Sequence, residues 1–476
     1  MDVLYLSIDD EQQFFAELDD IVNSPIHSRD QVDNTVTSFV RFAAQFREQY
    51  LQTTHAVCRV SFKLMDSSLY EPNASHIRKL LIRLALLPEC ASSMLYMILA
   101  LLFLDGRTHP KTYRAMNKHG MFGKLIETVK HGEDAQLQRM GLELLYEMCR
   151  VQKVGRRELE SIDVEFLVYL FSFVEDMSDE HDIHSYAVLK VILVLNEQYM
   201  VASLPSQKDQ VSAFDIASPA PSKPGTPLPP LSNKVMELLS VRGSEFKAFG
   251  ENIIFLLNRE RETCLQLLVL KFLYLTFTTP ETYEYLYTND LRVLVDVFIR
   301  ELYDLPDEAQ SLRHTYLRVL YPLLSHTQLR HAPHYKADQL RKLLLCLNGT
   351  ARSAHFQAVD ATTIRLVSRC AKVSWLEMPQ EVKVQEKELD ELSKKMERLG
   401  ASLGRKESGS ATSVAAVAVV QKPPPGKVTP RKMPPPPPPG RRHRNGQSGE
   451  YGALLRESWR FKYLFLVLFG HTGYFI

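Results

Sequence analysis

Residues 252–326 decide the fold, and they read NIIFLLNRERETCLQLLVLKFLYLTFTTPETYEYLYTNDLRVLVDVFIRELYDLPDEAQSLRHTYLRVLYPLLSH. Within this stretch five apolar residues fall at i, i+3, i+4, i+7 and i+11, which is one face of an α-helix. They are Leu291, Leu294, Val295, Phe298 and Leu302. Helix start signals occur at Thr279, at Thr288 to Asp290 and at Asp304. The stretch is therefore predicted to form four short helices that neighbouring elements must cover.

A four-residue motif, leucine followed by a charged residue and two apolar residues, recurs along the chain. It occurs at Leu142-Glu143-Leu144-Leu145, Leu189-Lys190-Val191-Ile192, Leu270-Lys271-Phe272-Leu273 and Leu317-Arg318-Val319-Leu320. The first two copies and the last two copies are each 47 positions apart, and the middle gap of 81 is 47 plus 34. A period near 47 lies at the upper edge of the range for armadillo and HEAT repeats, and the alternative is an irregular helical bundle whose helices match by chance. We predict an all-α, armadillo/HEAT-like helical solenoid with a disordered proline-rich C-terminal tail.

Composition excludes several classes of protein. The chain has 476 residues, of which 45% are apolar and 24% charged, and its net charge of +1 argues against a general nucleic-acid binder. Its six cysteines lie far apart, as expected for reduced thiols, and the acidic N-terminus does not resemble an export signal. The apolar run from Met94 to Leu104 is shorter than the roughly 20 residues that span a bilayer. We therefore predict a core helix there and no integral membrane span.

Shifts in composition predict five segments. They are residues 1–202, the first half of the solenoid beginning with an amphipathic cap helix; 203–232, an exposed proline- and serine-rich insert; 233–378, the second half; 380–400, a charged heptad helix; and 401–476, a disordered basic tail. The heptad segment is predicted to dock on the solenoid or to pair with a second chain, with a fraying solvated helix as the alternative.

The tail carries a run of six prolines, Pro434 to Pro439, which forms a polyproline II ridge without a partner. Two orientations of an SH3 ligand fit this run. They use Arg431, Pro434 and Pro437, or Pro436, Pro439 and Arg441. We predict binding of SH3 domains or profilin here, and the alternative is a simple spacer. The final apolar residues, 461–476, are assigned no function.

Motifs of catalysis are missing from the sequence. It contains no phosphate-binding glycine loop, no H-E-x-x-H and no G-x-S-x-G. The histidine pairs His181/His184 and His331/His334 lack the further ligands of a metal site, so surface histidines are the simpler interpretation. We predict no enzyme activity, no cofactor and no metal, which leaves binding surfaces.

The central stretch also resembles a known family. The segments IIFLLNRE (253–260), YTNDLRVLVDVFIREL (287–302) and SLRHTYLRVL (311–320) are similar to the leucine-rich helical domain of the WISH/DIP/SPIN family, most closely its fungal low-dye-binding type. The resemblance extends more loosely over residues 2–377. The fungal type also has a C-terminal proline-rich tail, as this chain does, whereas animal members begin with an SH3 domain that is absent here.

The resemblance implies a concrete activity. Members of this family bind the actin-related protein 2/3 complex and activate it without a pre-existing filament, so that it nucleates linear seed filaments at endocytic actin patches. The implied location is the cytoplasm at cortical actin patches. Two hypotheses compete with it: a non-activating scaffold that recruits SH3 proteins and profilin, and an armadillo-type transport or degradation adaptor. The adaptor would need a ladder of Asn and Trp, but the chain has two Trp and no repeated Asn position.

Polar residues of the YTND block are the predicted partner-binding site. They are Tyr287, Asn289, Asp290, Arg292, Asp296 and Arg300. In the alternative interpretation, Asn289 or Asp290 is an N-cap and the charged residues form i, i+4 pairs within the helix. On the binding hypothesis, changing Arg292 and Arg300 together to Glu weakens binding and leaves the melting temperature within a degree or two.

Overall fold

The structure is a computed structural model, and it describes residues 8, 10–25, 27–132, 134–176, 183–203, 231–348 and 360–378. Within these ranges the ordered elements are α-helices and short 3-10 helices, with no strand. The predicted heptad helix, the basic tail and residues 204–230 of the predicted insert lie outside the described residues. The SH3 and profilin predictions at Arg431, Pro434, Pro436, Pro437, Pro439 and Arg441 also lie outside them.

In the described residues, twelve helices precede the insert. They are α1 Glu11–Asn23, α2 Arg29–Gln45, α3 Arg47–Tyr50, α4 Thr54–Met65, α5 Tyr70–Ala85, α6 Ser92–Thr108, α7 Lys111–Lys118, α8 Met121–His131, α9 Ala135–Val151, α10 Arg156–Ser161, α11 Val164–Asp176 and α12 Ile183–Ser203. Among them, α6 buries every residue from Leu95 to Gly106. This confirms the prediction of a core helix at Met94–Leu104.

The described helices after the insert continue the array. They are α13 Lys234–Arg242, α14 Lys247–Arg259, α15 Thr263–Thr278, α16 Thr288–Asp304, α17 Gln310–His326, α18 Ala337–Leu347 and α19 Ala361–Cys370, with 3-10 turns at Gly243–Glu245, Pro280–Thr282, Gln328–Arg330 and Ser374–Leu376. The stretch 252–326 thus contains four α-helices, as predicted.

The helices pack in two layers. One layer is a stack in which each helix contacts the next, in the order α2, α6, α9, α12, α15, α17 and α19. The second layer lies against this stack, and its helices α8, α11, α14, α16 and α18 also contact one another in sequence. Because each repeat buries its apolar surface against its neighbours, the fold is an armadillo/HEAT-like helical solenoid.

Side-chain bonds between successive stacked helices recur at the predicted spacing. Lys190 of α12 pairs with Glu143 of α9 at 2.8 Å, 47 positions apart. Near the helix ends, Gln198 Nε2 donates to the carbonyl of Cys149 at 2.7 Å and His326 Nδ1 bonds the carbonyl of Phe277 at 2.8 Å, each over 49 positions. Such bonds satisfy carbonyls that the end of a helix leaves without an intrahelical partner.

The spacing between α12 and α15 differs in one detail from the repeat prediction. Bonds that cross the insert join residues 74 positions apart, among them Lys271 to Glu197 and Tyr186 to Glu260. The difference between 74 and 47 is 27, which is the length of the segment 204–230. The predicted excess of 34 is therefore 27 inserted residues plus a shift of seven, because Lys271 faces Glu197 and not Lys190. Relative to the motif in α12, the motif in α15 therefore lies about two helical turns further along the helix.

Several ends of elements also differ from the prediction. Asp304 ends α16 and does not begin the next helix, since α17 starts at Gln310 after Ala309. Thr279 precedes the 3-10 turn at Pro280, but its side chain makes no capping bond. Leu231, predicted to lie in the exposed insert, is buried, and Asn233 caps α13 with its side chain. The insert therefore ends before Leu231, because a leucine gains more by joining the core than by facing water.

The prediction of an amphipathic helix at the start of the solenoid is confirmed. The cap helix α1 buries Phe15, Leu18 and Val22, together with Phe14, which the pattern did not single out. Gly120 precedes α8 in the left-handed conformation, with φ of 85°, which glycine adopts without steric cost. In the part of the chain that the structure describes, no helix combines the length and the apolar character needed to cross a bilayer.

Candidate partner-binding face

Helix α16 carries the predicted site, and its sequence pattern explains its placement. Leu291, Leu294, Val295, Phe298 and Leu302 are all buried, as the apolar stripe predicts. The Phe298 ring packs edge-on against the Tyr316 ring of α17, with centroids 4.9 Å apart. The helix lies in the second layer between α14 and α18, with α17 behind it. The side of α16 opposite the buried stripe therefore faces solvent.

The start of α16 excludes one interpretation of the YTND block. The helix begins at Thr288, so Asn289 and Asp290 lie in its first turn and are not N-caps. Tyr287 occupies the N-cap position and makes no side-chain capping bond. Asp290 still favours the helix, because an acid near the N-terminus interacts well with the helix dipole. The N-cap alternative for Asn289 and Asp290 is wrong.

The charged residues of α16 do not form i, i+4 pairs with each other. Asp296 instead accepts a hydrogen bond from the Tyr335 hydroxyl at 3.1 Å and pairs with Lys336 Nζ at 2.9 Å. Its carboxylate raises the pKa of Lys336. The Arg292 guanidinium lies over the Tyr335 ring, 5.7 Å from its centroid. Both half-buried residues therefore hold the segment that leads into α18.

Arg300 connects α16 to the other neighbouring helix. Its guanidinium donates to the Asn258 side-chain oxygen at 2.8 Å and to the Asn258 carbonyl at 3.3 Å, in the last turn of α14. It also pairs with Glu301 at 2.6 Å. The side chain is nonetheless 47% exposed, so one side of it remains open to a partner.

The solvent side of α16 is unusually apolar. Tyr287, Val293 and Tyr303 are each about half exposed, and they are three of the six large exposed apolar side chains in the described residues. We call Tyr287, Asn289, Val293, Arg300 and Tyr303 the outer face of α16. Exposed apolar side chains gathered on one helix are typical of an interaction surface.

Sequence reasoning missed two residues of this face, Val293 and Tyr303. A signal was present, because both are apolar and both fall outside the buried 3.6-period stripe of α16. An apolar residue off the buried stripe of an amphipathic helix is a candidate for partner contact. The prediction was based on the polar residues of the helix, but two of these, Arg292 and Asp296, mainly stabilise the fold.

The pair His331/His334 makes other contacts in the structure. His334 stacks on Trp375, with ring centroids 4.6 Å apart, and Arg330 Nε donates to His331 Nε2 at 3.1 Å. Among the described residues no three His, Cys, Asp or Glu side chains gather as metal ligands. His181 lies outside the described ranges.

The chain is similar in sequence to one protein family and to individual proteins of two yeasts. The family described as SPIN90/Ldb17, leucine-rich domain, matches residues 181–340, which include all of α16. The chain is 32% identical over 392 residues to the protein dip1 of Schizosaccharomyces pombe, a match that covers 79% of this chain and 96% of that protein. It is 26% identical over 428 residues to the protein LDB17 of Saccharomyces cerevisiae, covering 77% and 81% of the two chains.

Solved structures give a weaker likeness. A designed armadillo repeat protein superposes with a TM-score of 0.29 and 9% identity, over 64% of this chain and 98% of that chain. The repeat architecture described above therefore rests on the helix contacts of this chain alone.

Proposed function

The chain belongs to the SPIN90/Ldb17 family, and from that premise we propose that it binds the actin-related protein 2/3 complex and activates it. Family membership supports a role in the actin patch machinery. The product of the proposed activity is a linear seed filament, formed in the cytoplasm at cortical endocytic actin patches. The proline-rich tail recruits SH3-domain endocytic proteins or profilin. Neither this family nor an all-helical repeat array is typical of an enzyme.

The outer face of α16 is the observation that carries the proposal. The face lies inside the matched segment 181–340, and its apolar side chains are not covered by the described residues. Arg300 adds one partly exposed cation beside them. Aromatic side chains and arginine are enriched at the energetic centres of protein interfaces, so this face has the composition of a binding site.

Activation follows from differential affinity. A partner with inactive and active arrangements shifts toward the one that the chain binds more tightly, and by no more than that difference in free energy. Phe298, Leu294 and Val295 anchor α16 in the core. Asp296 fixes it to the segment that leads into α18, and Arg300 fixes it to α14. Because α16 is held on three sides, its outer face has one geometry and can discriminate between two arrangements of a partner.

The outer face can be tested with the double variant Val293→Glu and Tyr303→Ser. Both side chains are half exposed, so the change should leave the free energy of unfolding within about 0.5 kcal/mol. Affinity for the purified complex and the initial rate of actin polymerisation should both fall by about tenfold or more, because apolar contacts at the centre of an interface are lost.

The matched control is Val241→Glu, because Val241 on α13 is even more exposed, at 82%. This control should bind and nucleate as the wild type does. Equal affinity of the double variant and the wild type, with both folded, would place the binding site elsewhere on the solenoid.

The division of labour between solenoid and tail needs a separate measurement. A chain of residues 1–400 should activate the complex in solution as well as the full chain, and residues 401–476 alone should not. The tail should instead be required for delivery to actin patches in cells. If only the full chain nucleates although residues 1–400 are folded, the solenoid is not sufficient.

The second candidate function is a scaffold that binds SH3 proteins and profilin without activating the complex. The basic polyproline run of the sequence favours it. It predicts that residues 1–400 bind no complex and that polymerisation is unchanged at any concentration of the chain.

A further inference from the structure

Charged residues at equivalent positions of the stacked helices form a ladder across the repeats. The ladder follows the charged position of the repeat motif, at Glu143, Lys190, Lys271 and Arg318. It continues for one more step to Arg365, again 47 positions on, in the sequence Ile364-Arg365-Leu366-Val367 of α19. This copy begins with isoleucine, whereas the other four begin with leucine.

In the first part of the ladder every charge is neutralised within the chain. Lys190 Nζ contacts both carboxylate oxygens of Glu143, at 3.0 and 2.8 Å. Lys271 Nζ pairs with one carboxylate oxygen of Glu197, across α12 and α15. These pairs are half-buried or buried, so the charges are matched where water is limited.

At the C-terminal end of the ladder the charged residues are not neutralised in this way. Arg318 on α17 and Arg365 on α19 occupy equivalent positions of two helices that pack against each other, and Arg369 lies one turn further along α19. All three are exposed, and none forms an ion pair with any acidic residue that the structure describes. Loss of part of its hydration and the charge of Arg365 both lower the pKa of Arg318, which shows that the two cations repel each other.

Other groups near the arginines do not relieve this repulsion. Asp360 is engaged by His314 at 2.9 Å and by the backbone N–H of Thr363 at 3.0 Å. Burial lowers the pKa of His314, so His314 adds no cation at neutral pH. Tyr321 lies beneath Arg369, with the guanidinium 5.0 Å from its ring centroid. Tyr274 of α15 is half-buried beside Arg318.

We propose that Tyr274, Arg318, Tyr321, Arg365 and Arg369, which we call the arginine strip, form a docking surface for an acidic helical segment of a partner protein. Unpaired like charges side by side destabilise the free chain, and an anionic partner removes that cost. The strip is independent of the outer face of α16 and of the proposed activation.

The spacing of the strip favours a helix as its occupant. Neighbouring packed helices lie about 8–10 Å apart, so equivalent residues on α17 and α19 present cations at about that distance. Two turns of a partner helix advance about 10 Å, which places carboxylates seven residues apart opposite the two arginines. The tyrosines offer flat apolar surface between the charges, as interface aromatics do.

A membrane or a nucleic acid is a poorer match for this surface. Anionic lipid surfaces are recognised by clusters of about four to eight cations, and the strip has three. The net charge of +1 gives the chain no long-range attraction to a polyanion. The experiment therefore also measures binding to lipid vesicles, and vesicle binding through the strip would contradict the proposal.

The test uses the full chain and a fluorescein-labelled, alanine-rich helical peptide with glutamate at every seventh position. Fluorescence anisotropy should show saturable binding, and the peptide with glutamine at the same positions should not bind. The variant with Arg318→Glu and Arg365→Glu should bind at least about tenfold more weakly, which corresponds to about 1.4 kcal/mol. The neutral variant with Arg318→Gln and Arg365→Gln should also bind more weakly.

The control variant, Arg114→Glu with Lys118→Glu, makes the same change in net charge on exposed residues of α7. Its affinity for the peptide should stay within about twofold of the wild type, since net charge alone acts weakly at moderate salt. Arg365→Gln alone should raise the melting temperature, because it removes one of two repelling charges, and this readout needs no ligand.

Three outcomes would overturn the proposal. The first is equal loss of binding in the control and in the strip variants. The second is equal binding of the glutamine peptide. The third is binding of vesicles of phosphatidylcholine and phosphatidylserine that depends on Arg318 and Arg365 while the peptide does not bind. None of these outcomes affects the nucleation assay of the α16 variants, so the two proposals fail separately.

Discussion

Asp105 shows how a single buried charge is held in this fold. Its carboxylate is 1% exposed and accepts two hydrogen bonds from Arg78, at 2.6 and 2.8 Å, and one from the Thr112 hydroxyl. Burial alone would raise its pKa, but Arg78 and Thr112 outweigh burial and hold the pKa below the ordinary value of 3.8. The ionised form is therefore the one that the folded state stabilises.

Asp105→Asn should lower the free energy of unfolding by about 3–5 kcal/mol at pH 7, because it leaves Arg78 largely buried without a counter-charge. The pKa is lowered by folding, so the contribution of Asp105 is complete above about pH 4 and is lost as the pH falls through the lowered pKa. Chemical denaturation at a series of pH values should show a constant difference in the free energy of unfolding between wild type and variant above about pH 4. Below that pH the difference should become smaller. The exposed control Asp20→Asn should change little, and a gap that never narrows would contradict this assignment.

Arg300 illustrates a residue whose structural and binding roles overlap. Replacing it by Glu removes the bonds to Asn258 and puts an acid at the C-terminal end of α14, where the helix dipole disfavours negative charge. We expect Arg300→Glu to lower stability by about 1 kcal/mol, measured by thermal unfolding. This revises the expectation that an Arg292 and Arg300 double variant melts like the wild type. Unchanged melting of Arg300→Glu would mean that its bonds to Asn258 contribute nothing.

At the scale of the element, two helical glycines predict opposite effects of the same substitution. A Cβ on Gly106 of α6 would overlap the ring of Tyr113, which is 1% exposed and whose hydroxyl donates to the Phe103 carbonyl at 2.9 Å. Gly106→Ala should therefore destabilise the chain by about 1–3 kcal/mol. Gly123 of α8 is exposed, and a Cβ there meets nothing within 4 Å. Gly123→Ala should stabilise by up to about 1 kcal/mol, and melting curves of the two variants shifting in the same direction would contradict the packing described.

The helices themselves were predictable where an apolar period is long. The stripe of α16 is buried as its spacing requires, since only one side of a helix can face the core. Helix starts were less predictable, because Thr, Asn and Asp are common both as caps and in first turns. The two-turn shift at Lys271 could not be seen in the sequence, since a four-residue motif fits any turn of a uniformly apolar helix. The copy at Arg365 begins with isoleucine and so departs from the leucine-first motif, and Val293 and Tyr303 are apolar residues on a face that was judged by its polar residues.

At the scale of the whole molecule, the insert is predicted to be separable from the solenoid. Closing a loop costs only about 0.6 kcal/mol per doubling of its length, so replacing residues 206–229 by a few glycines and serines should barely change the melting temperature. The change must spare Leu231, which is buried, and Asn233, which caps the following helix. Leu231→Ala is the contrast and should cost about 2–5 kcal/mol. A drop of several degrees on shortening alone would mean that residues 206–229 pack on the solenoid.

The bonds that cross the insert have a consequence for biosynthesis. A stacked helix elsewhere in the array receives its partner about 47 residues after its own translation, but Glu197 of α12 must wait 74 residues for Lys271. At about 5–20 residues per second, the extra 27 residues delay α15 by roughly 1–5 s. During that pause the side of the newly made α12 that contacts α15 in the folded chain lacks α15 as a neighbour. The nascent chain is therefore most exposed to chaperones, and to misassembly, between the synthesis of Ser203 and that of Thr263.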